Sequence, residues 1–264
     1  MPFSWDVLTN PPGFGTSTML LLTDGRVICQ EDGTANWSAL TPDAHGSYQN
    51  GTWAPIAPMA SWRRYYASAV LANGNVLVAG GEDASTGDTN DCEIYDPVAD
   101  SWTVIAPPGG WPNIGDAPCA VLADGQVLLG NINTTQTVIY DPVANAWTGT
   151  GTKGDVSSEE TWTLLPDQTV LTAECTNHPR AEKYVVALNQ WVSAGSTRTS
   201  ALLGSSPQPL ITLAALTLLS TELARSGSTR RGQIVSKRFR LRSSRPTRAR
   251  RGRQRAEVRT TNGT

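Results

Sequence analysis

Cys175 and His178, in the segment ECTNHPR, come nearest in type and spacing to a metal or thiol centre, because a thiolate and an imidazole three positions apart can share one cation. A closed site needs two more ligands. Only Glu174 and Glu182 stand near them in the chain, so the spacing supplies a fragment and not a centre. The other histidine, His45, lies in the turn-rich stretch TPDAHGSYQNGTW with no second ligand beside it. Two carboxylate pairs, Glu82-Asp83 and Glu159-Glu160, fall at the ends of apolar runs. With Trp62, Trp111 and Tyr65 nearby they can hold a cation, or stack against and hydrogen-bond a sugar, although solvated acidic loops account for them more simply. Arg63-Arg64, the only adjacent basic pair before residue 200, suits a carboxylate ligand or an inter-blade salt bridge, and the structural role is the expected one. Cys119 is expected to pack in a strand and not to react. Neither a GxSxG nucleophile elbow nor a GxxxxGK[ST] phosphate loop occurs.

These residues sit in the first part of a chain whose two ends differ in kind. Across 264 residues the formal charge is −2, yet residues 1–200 carry seven basic and twenty-one acidic side chains, and residues 201–264 carry fourteen and two. All nine Trp and all six Tyr also precede residue 200, so a sizeable core is expected only there. The longest apolar run, LITLAALTLL from Leu210, has ten residues, half of the roughly 20 that a membrane-spanning helix needs. The N-terminal MPFSWDVLTNPPGFG has neither the basic start nor the apolar centre of a secretory signal. No membrane segment is expected, and the localisation stays open. Cys29, Cys92, Cys119 and Cys175 are too scattered for a disulfide framework and read as free, mostly buried thiols.

The elements that must position the candidate residues are repetitive. MLLLTDGRVICQ from Met19, SAVLANGNVLVAGG from Ser68, CAVLADGQVLLGN from Cys119 and WTLLPDQTVLTAEC from Trp162 each read as apolar run, turn, apolar run. Asp24-Gly25, Asn73-Gly74, Asp124-Gly125 and Asp167-Gln168 mark four hairpins, with two-residue type I′ turns expected at the first three. About twenty residues later a second unit recurs: IYDPVADSW, IYDPVANAW and KYVVALNQW, pairing Tyr95 with Trp102, Tyr140 with Trp147 and Tyr184 with Trp191; Tyr48 to Trp53 reads as a shortened copy. Asp-Pro ends one strand and the Trp opens the next. Trp53, Trp102, Trp147 and Trp191 are spaced by 49, 45 and 44 residues, so each period holds four short strands, the signature of a β-propeller blade.

MASWRRYYASAVLANGNVLVAGG from Met59, with EIYDP and a Trp downstream, resembles the kelch repeat as carried by galactose oxidase-like and glyoxal oxidase-like propellers. Arg64, Tyr65, Gly74, Gly80, Gly81, Tyr95 and Trp102 match the motif, with Gly125, Tyr140, Trp147, Tyr184 and Trp191 as looser counterparts in later repeats. The resemblance spans roughly residues 5–196 and implies that these residues make the fold: glycines for tight turns and close approach, Tyr and Trp for packing between blades. It also brings copper radical oxidases to mind, whose imidazole ligands could come only from His45 and His178 and whose chemistry further needs a tyrosine cross-linked to a cysteine and a second, axial tyrosine. No copper, other metal or cofactor is assigned on that basis.

The resulting expectation is an all-β protein: a kelch-type propeller of about four blades over residues 1–196, forming an incomplete ring, with Ser4–Pro12 as an orphan outer strand. Residues 197–264 are expected to be an Arg-rich, disordered basic tail, and the change of composition near Gly195–Thr199 points to a shifted reading frame. The leading functional expectation is a binding or protein-interaction scaffold without catalysis, taking a protein or carbohydrate at its loops and prone to self-association through uncovered blades. The alternatives are a truncated relative of the carbohydrate or aldehyde oxidases and, less favoured, a nucleic-acid binder acting through its basic tail.

Overall fold

The computed structural model describes residues 6–83, 85–176 and 180–196, all within the unit Met1–Ala215. The expectations for His178 and for residues 197–264 lie outside the described residues. Four four-stranded antiparallel sheets follow one another along the chain. The first blade is β1 (Thr16–Leu21), β2 (Val27–Glu31), β3 (Trp37–Thr41) and β4 (Thr52–Ile56). The second is β5 (Ala67–Val70), β6 (Val76–Ala79), β9 (Cys92–Asp96) and β10 (Ser101–Ile105), with a small hairpin, β7 (Glu82–Asp83) and β8 (Gly87–Asp88), inserted between β6 and β9. The third is β11 (Cys119–Val121), β12 (Val127–Asn131), β13 (Thr134–Asp141) and β14 (Ala146–Gly149). The fourth is β15 (Thr163–Leu164), β16 (Val170–Ala173), β17 (Arg180–Val185) and β18 (Gln190–Ser196).

The hairpins form where expected but with a different turn. Only the glycine has positive φ, +87° at Gly25, +89° at Gly74 and +87° at Gly125. In the first hairpin Gly25 N–H donates to Leu22 O at 3.1 Å and Leu22 N–H to Arg26 O at 2.8 Å. That is a three-residue loop, a type I turn closed by a left-handed residue, in place of a type I′ turn. The Asp or Asn keeps ordinary backbone angles because its side chain caps the strand beyond, as Asp24 Oδ1 does by accepting from Arg26 N–H at 2.9 Å. Gln168 fills the glycine position of the fourth hairpin at φ +66°, a conformation that costs an L-residue about 1 kcal/mol.

The Tyr and Trp of each repeat lie directly opposite one another: Tyr95 with Trp102, Tyr140 with Trp147 and Tyr184 with Trp191. Each phenol donates to a side chain in a left-handed turn residue, Asp100, Asn145 or Asn189, at 2.7–2.9 Å. In the first blade the residue opposite Trp53 is Leu40, and Tyr48 lies in the β3–β4 loop with its hydroxyl on Gly25 O at 2.7 Å. Tyr48 is therefore not the counterpart of Tyr95. The indole N–H groups reach backward: Trp102 to Ala57 O and Trp147 to Ala106 O, both at 2.8 Å, and Trp53 to Asn10 O at 3.1 Å. Residues 6–12, read from sequence as part of an outer strand, form no strand, yet Asn10 gives Trp53 what the ends of β4 and β10 give the later indoles.

Period-two alternation with both faces apolar puts one half of each strand into the interface before it and the other half into the interface after it. Ile28, Trp37 and Ala39 meet Val76, Val78 and Tyr95 between the first and second blades. Leu77, Ala79 and Cys92 meet Val127, Leu129 and Tyr140 between the second and third. Leu128 meets Trp162, Val170 and Tyr184 between the third and fourth. Each such side chain contributes about 1.5–3 kcal/mol, so the interfaces hold the blades together without long-range sheet pairing.

Candidate functional site

Antiparallel connectivity places the turns after the first and third strands of every blade at one end, and the loops after the second strands and the inter-blade connectors at the other. Charged residues gather at the connector end, whereas four of the six non-glycine residues with positive φ, Asp100, Asn145, Gln168 and Asn189, lie in turns at the other end. Gly80 and Gly81, at φ +71° and +95°, turn the chain out of β6 into the inserted hairpin. A Cβ on Gly80 would lie 2.5 Å from Ile114, and one on Gly81 would lie 2.5 Å from Arg64 O, so only glycine fits both demands. Arg64 and Glu82 exchange backbone hydrogen bonds at 3.0 and 2.8 Å. Gly81 N–H donates to Gly115 O at 2.9 Å, drawing the connector before β11 against the hairpin.

This folding brings together Glu82, Asp88 and Asp116, which can each offer an oxygen within 4.8 Å of the others. All three are partly buried. The Asp116 carboxyl is pushed up to about 7, by burial first and then by Glu82, Asp88 and Glu159, with Arg64 opposing. Its Oδ1 is buried without a hydrogen-bond donor. Asp88 Oδ2 accepts from Asn133 Nδ2 at 3.0 Å. An all-carboxylate set of this kind suits a hard divalent cation, calcium or magnesium, and not copper or zinc. Beside it Tyr65 holds φ +61°, an outlier for a bulky side chain, with the residue 56% exposed and the Arg64 guanidinium 4.8 Å from its ring centroid.

Several sequence expectations change here. Tyr65 does not pack between blades; Tyr66 does, buried with its hydroxyl on Gln30 Oε1 at 2.6 Å. Of the pair Glu82-Asp83, Glu82 joins the cluster, while Asp83 caps Ser85 and Thr86, which holds its carboxyl below the usual range. Trp111 belongs to the core of the second and third blades and is not free to stack on a sugar. Arg63 is fully buried and pairs with Glu93 at 2.6 Å, the structural role expected of it. The thiols of Cys29, Cys92 and Cys119 are pushed up to about 11, 12 and 12 by burial, and Cys119 packs in the core.

Glu160 is not a solvated loop carboxylate. It is buried on Lys153 at 3.0 Å and also accepts from the Trp162 indole at 3.1 Å and Thr172 Oγ1 at 3.2 Å. Glu182 takes Gly154 N–H on both oxygens at 3.1 Å and lies 3.4 Å from Lys153. Among the described residues the one metal-competent group is Glu82, Asp88 and Asp116, so neither Glu174 nor Glu182 joins Cys175 in such a group. The inserted hairpin, which carries Asp88 into that group, had no sequence signal beyond the double glycine. His45 lies in the β3–β4 loop at the turn end, its backbone N–H on Asp43 Oδ1 at 2.9 Å.

A family model described as the Kelch motif matches residues 63–109. The F-box protein AFR of Arabidopsis thaliana is 31% identical over 106 residues, which is 40% of this chain and 27% of that protein, so the chain spans about a quarter of its relative's length. Among solved structures, YjhT matches with a TM-score of 0.55 at 15% identity, covering 73% of this chain and 68% of that one. A fungal alcohol oxidase of the AA5 family, in complex with copper, matches with a TM-score of 0.52 at 22% identity, covering 70% and 42%. At those identities the two structures share the fold alone.

Proposed function

Because the chain is a kelch-repeat protein with a propeller-like fold, we propose that it is a binding scaffold that takes a protein partner at its connector end, between Tyr65 and the Glu82, Asp88 and Asp116 carboxylates. The observation that carries this reading is Tyr65. A large aromatic held in a strained conformation, more than half exposed and backed by a guanidinium, is a contact residue looking for a surface, since nothing in the core requires it. The neighbouring acidic cluster selects a partner segment that brings a cation, such as a Lys or Arg side chain close to an apolar one. A protein fits better than a sugar, because Trp111 is occupied by the core.

The oxidase alternative gains no residue from the site. The phenols of Tyr95, Tyr140 and Tyr184 are engaged by Asp100, Asn145 and Asn189, and His45 stands at the other end of the sheets. Self-association has one described residue in its favour, Met19, 60% exposed on the face of β1 that turns away from the second blade.

An array of peptides containing Lys or Arg next to aliphatic residues, titrated against the full chain, tests the scaffold reading. The expectation is that Tyr65→Ala and Asp88→Asn each weaken the best peptide at least tenfold while the melting temperature is kept. Equal binding by the wild type and both variants would remove the connector end from consideration.

A further inference from the structure

The fourth blade is seated on the third around charge. Lys153, from the connector before β15, has three ammonium hydrogens, and three acceptors surround it: Glu160 Oε1 at 3.0 Å, Glu182 Oε2 at 3.4 Å and Asp155 O at 3.4 Å. Nothing is left for Glu174, which follows β16 and is fully buried with neither carboxylate oxygen accepting a hydrogen bond. Its nearest cation is Arg180 Nε at 3.8 Å, on a side chain that is itself 57% exposed. Among the described residues, the charged groups that Glu174 faces are Glu182 and Arg180 on β17 and Lys153 and Asp155 on the connector, so an ionised Glu174 makes three carboxylates against two cations.

We propose that Glu174 is a proton-operated latch: while it carries a proton the fourth blade stays closed on the third, and loss of that proton loosens the fourth blade alone. The elements the latch holds are short. β15 has two residues, and the polar ties from the third blade and its connector to β17 and β18 include Trp191 Nε1 to Thr137 Oγ1 at 2.9 Å, Gly151 N–H to Asn189 O at 3.2 Å, Gly154 N–H to both Glu182 oxygens at 3.1 Å and Lys153 to Glu182 at 3.4 Å. Burial, then Glu182, pushes the Glu174 carboxyl up to about 7 from its ordinary 4.5, with Lys153 and Arg180 opposing. A carboxyl raised in the folded state binds its proton more tightly there than in the open state. The stabilisation is therefore complete below about 4.5 and is lost as pH climbs to about 7. The inference is independent of the partner proposed for the connector end.

Hydrogen exchange of the full chain, compared with Glu174→Gln at matched pH so that the intrinsic exchange chemistry cancels, tests it. At pH 4.5 peptides from β16 and β17 are expected to exchange equally in the two proteins. At pH 7.5 the wild type is expected to exchange at least tenfold faster in β16 and β17, with no difference in β5 and β6. Glu174→Leu, which removes the charge without supplying an amide, is expected to behave as Glu174→Gln does, and serves if the amide disturbs packing. A wild-type-to-variant ratio that does not change with pH, or one that rises equally in β5 and β6, overturns the latch.

Discussion

The interface between the second and third blades and the one between the third and fourth share a frame and differ in filling. Both carry a Tyr opposite a Trp, a phenol on a left-handed turn residue and apolar strands face to face. The first is filled by Leu77, Ala79, Cys92, Ile114, Val127 and Leu129. The second has a smaller apolar cluster and adds Lys153, Glu160, Glu182 and Glu174. Apolar burial tolerates the loss of one member, since each contact contributes separately. A buried ion network does not, because each group has been desolvated on the condition that its partners are present. The frame fixes where blades sit, and the filling decides what can unseat them.

Lys153→Met would break this contrast most severely. Stranding Glu160 and Glu182 is expected to cost about 3–5 kcal/mol, read as a lowered urea midpoint, and a loss below about 1 kcal/mol would show the network to be ornamental. Leu129→Ala, in the apolar interface, is expected to cost about 3 kcal/mol by leaving a cavity, with no dependence on salt or pH. If its cost varied with pH as the fourth blade's stability does, the two interfaces would not be distinct. The smallest effect is in the other direction: Gln168→Gly relieves a positive φ in the fourth hairpin and should raise the melting temperature, by about 0.5–1 kcal/mol of stability. It should do so without changing exchange in β11–β14.

What could be read in the sequence was what is local. Asp-Gly and Asn-Gly located the hairpins, and a Tyr-to-Trp interval of seven located the outer strands, because both are decided within a few residues. The type of turn was not readable, since an Asp that caps the next strand and an Asp with positive φ are spelled alike. The choice between Tyr65 and Tyr66 was hidden for a similar reason: adjacent residues point to opposite sides, and only the left-handed kink at Tyr65 determines which one enters the core. The candidate site was the least legible. Glu82 and Asp116 are 34 positions apart and meet only because Gly81 and Gly115 let two backbones touch. Glu160 looked like a surface charge because its partner, Lys153, is the only lysine in a long acidic stretch and nothing nearby marks it as buried.

The backward reach of the indoles has an evolutionary consequence. Trp53, Trp102 and Trp147 each donate to a carbonyl supplied roughly one period earlier, so a gene segment cut from one Trp to the next contains one donor and one acceptor of the same kind of bond. Duplicating or deleting such a segment between Trp53 and Trp147 leaves each of these junctions with the partner it had before, whereas Trp191, which donates to Thr137 Oγ1, stands outside the rule. A lineage can thus change its number of blades in single steps without passing through a sequence in which any of these junctions is unmatched, and the charge-filled interface beside the fourth blade can then diverge while the inherited frame stays fixed.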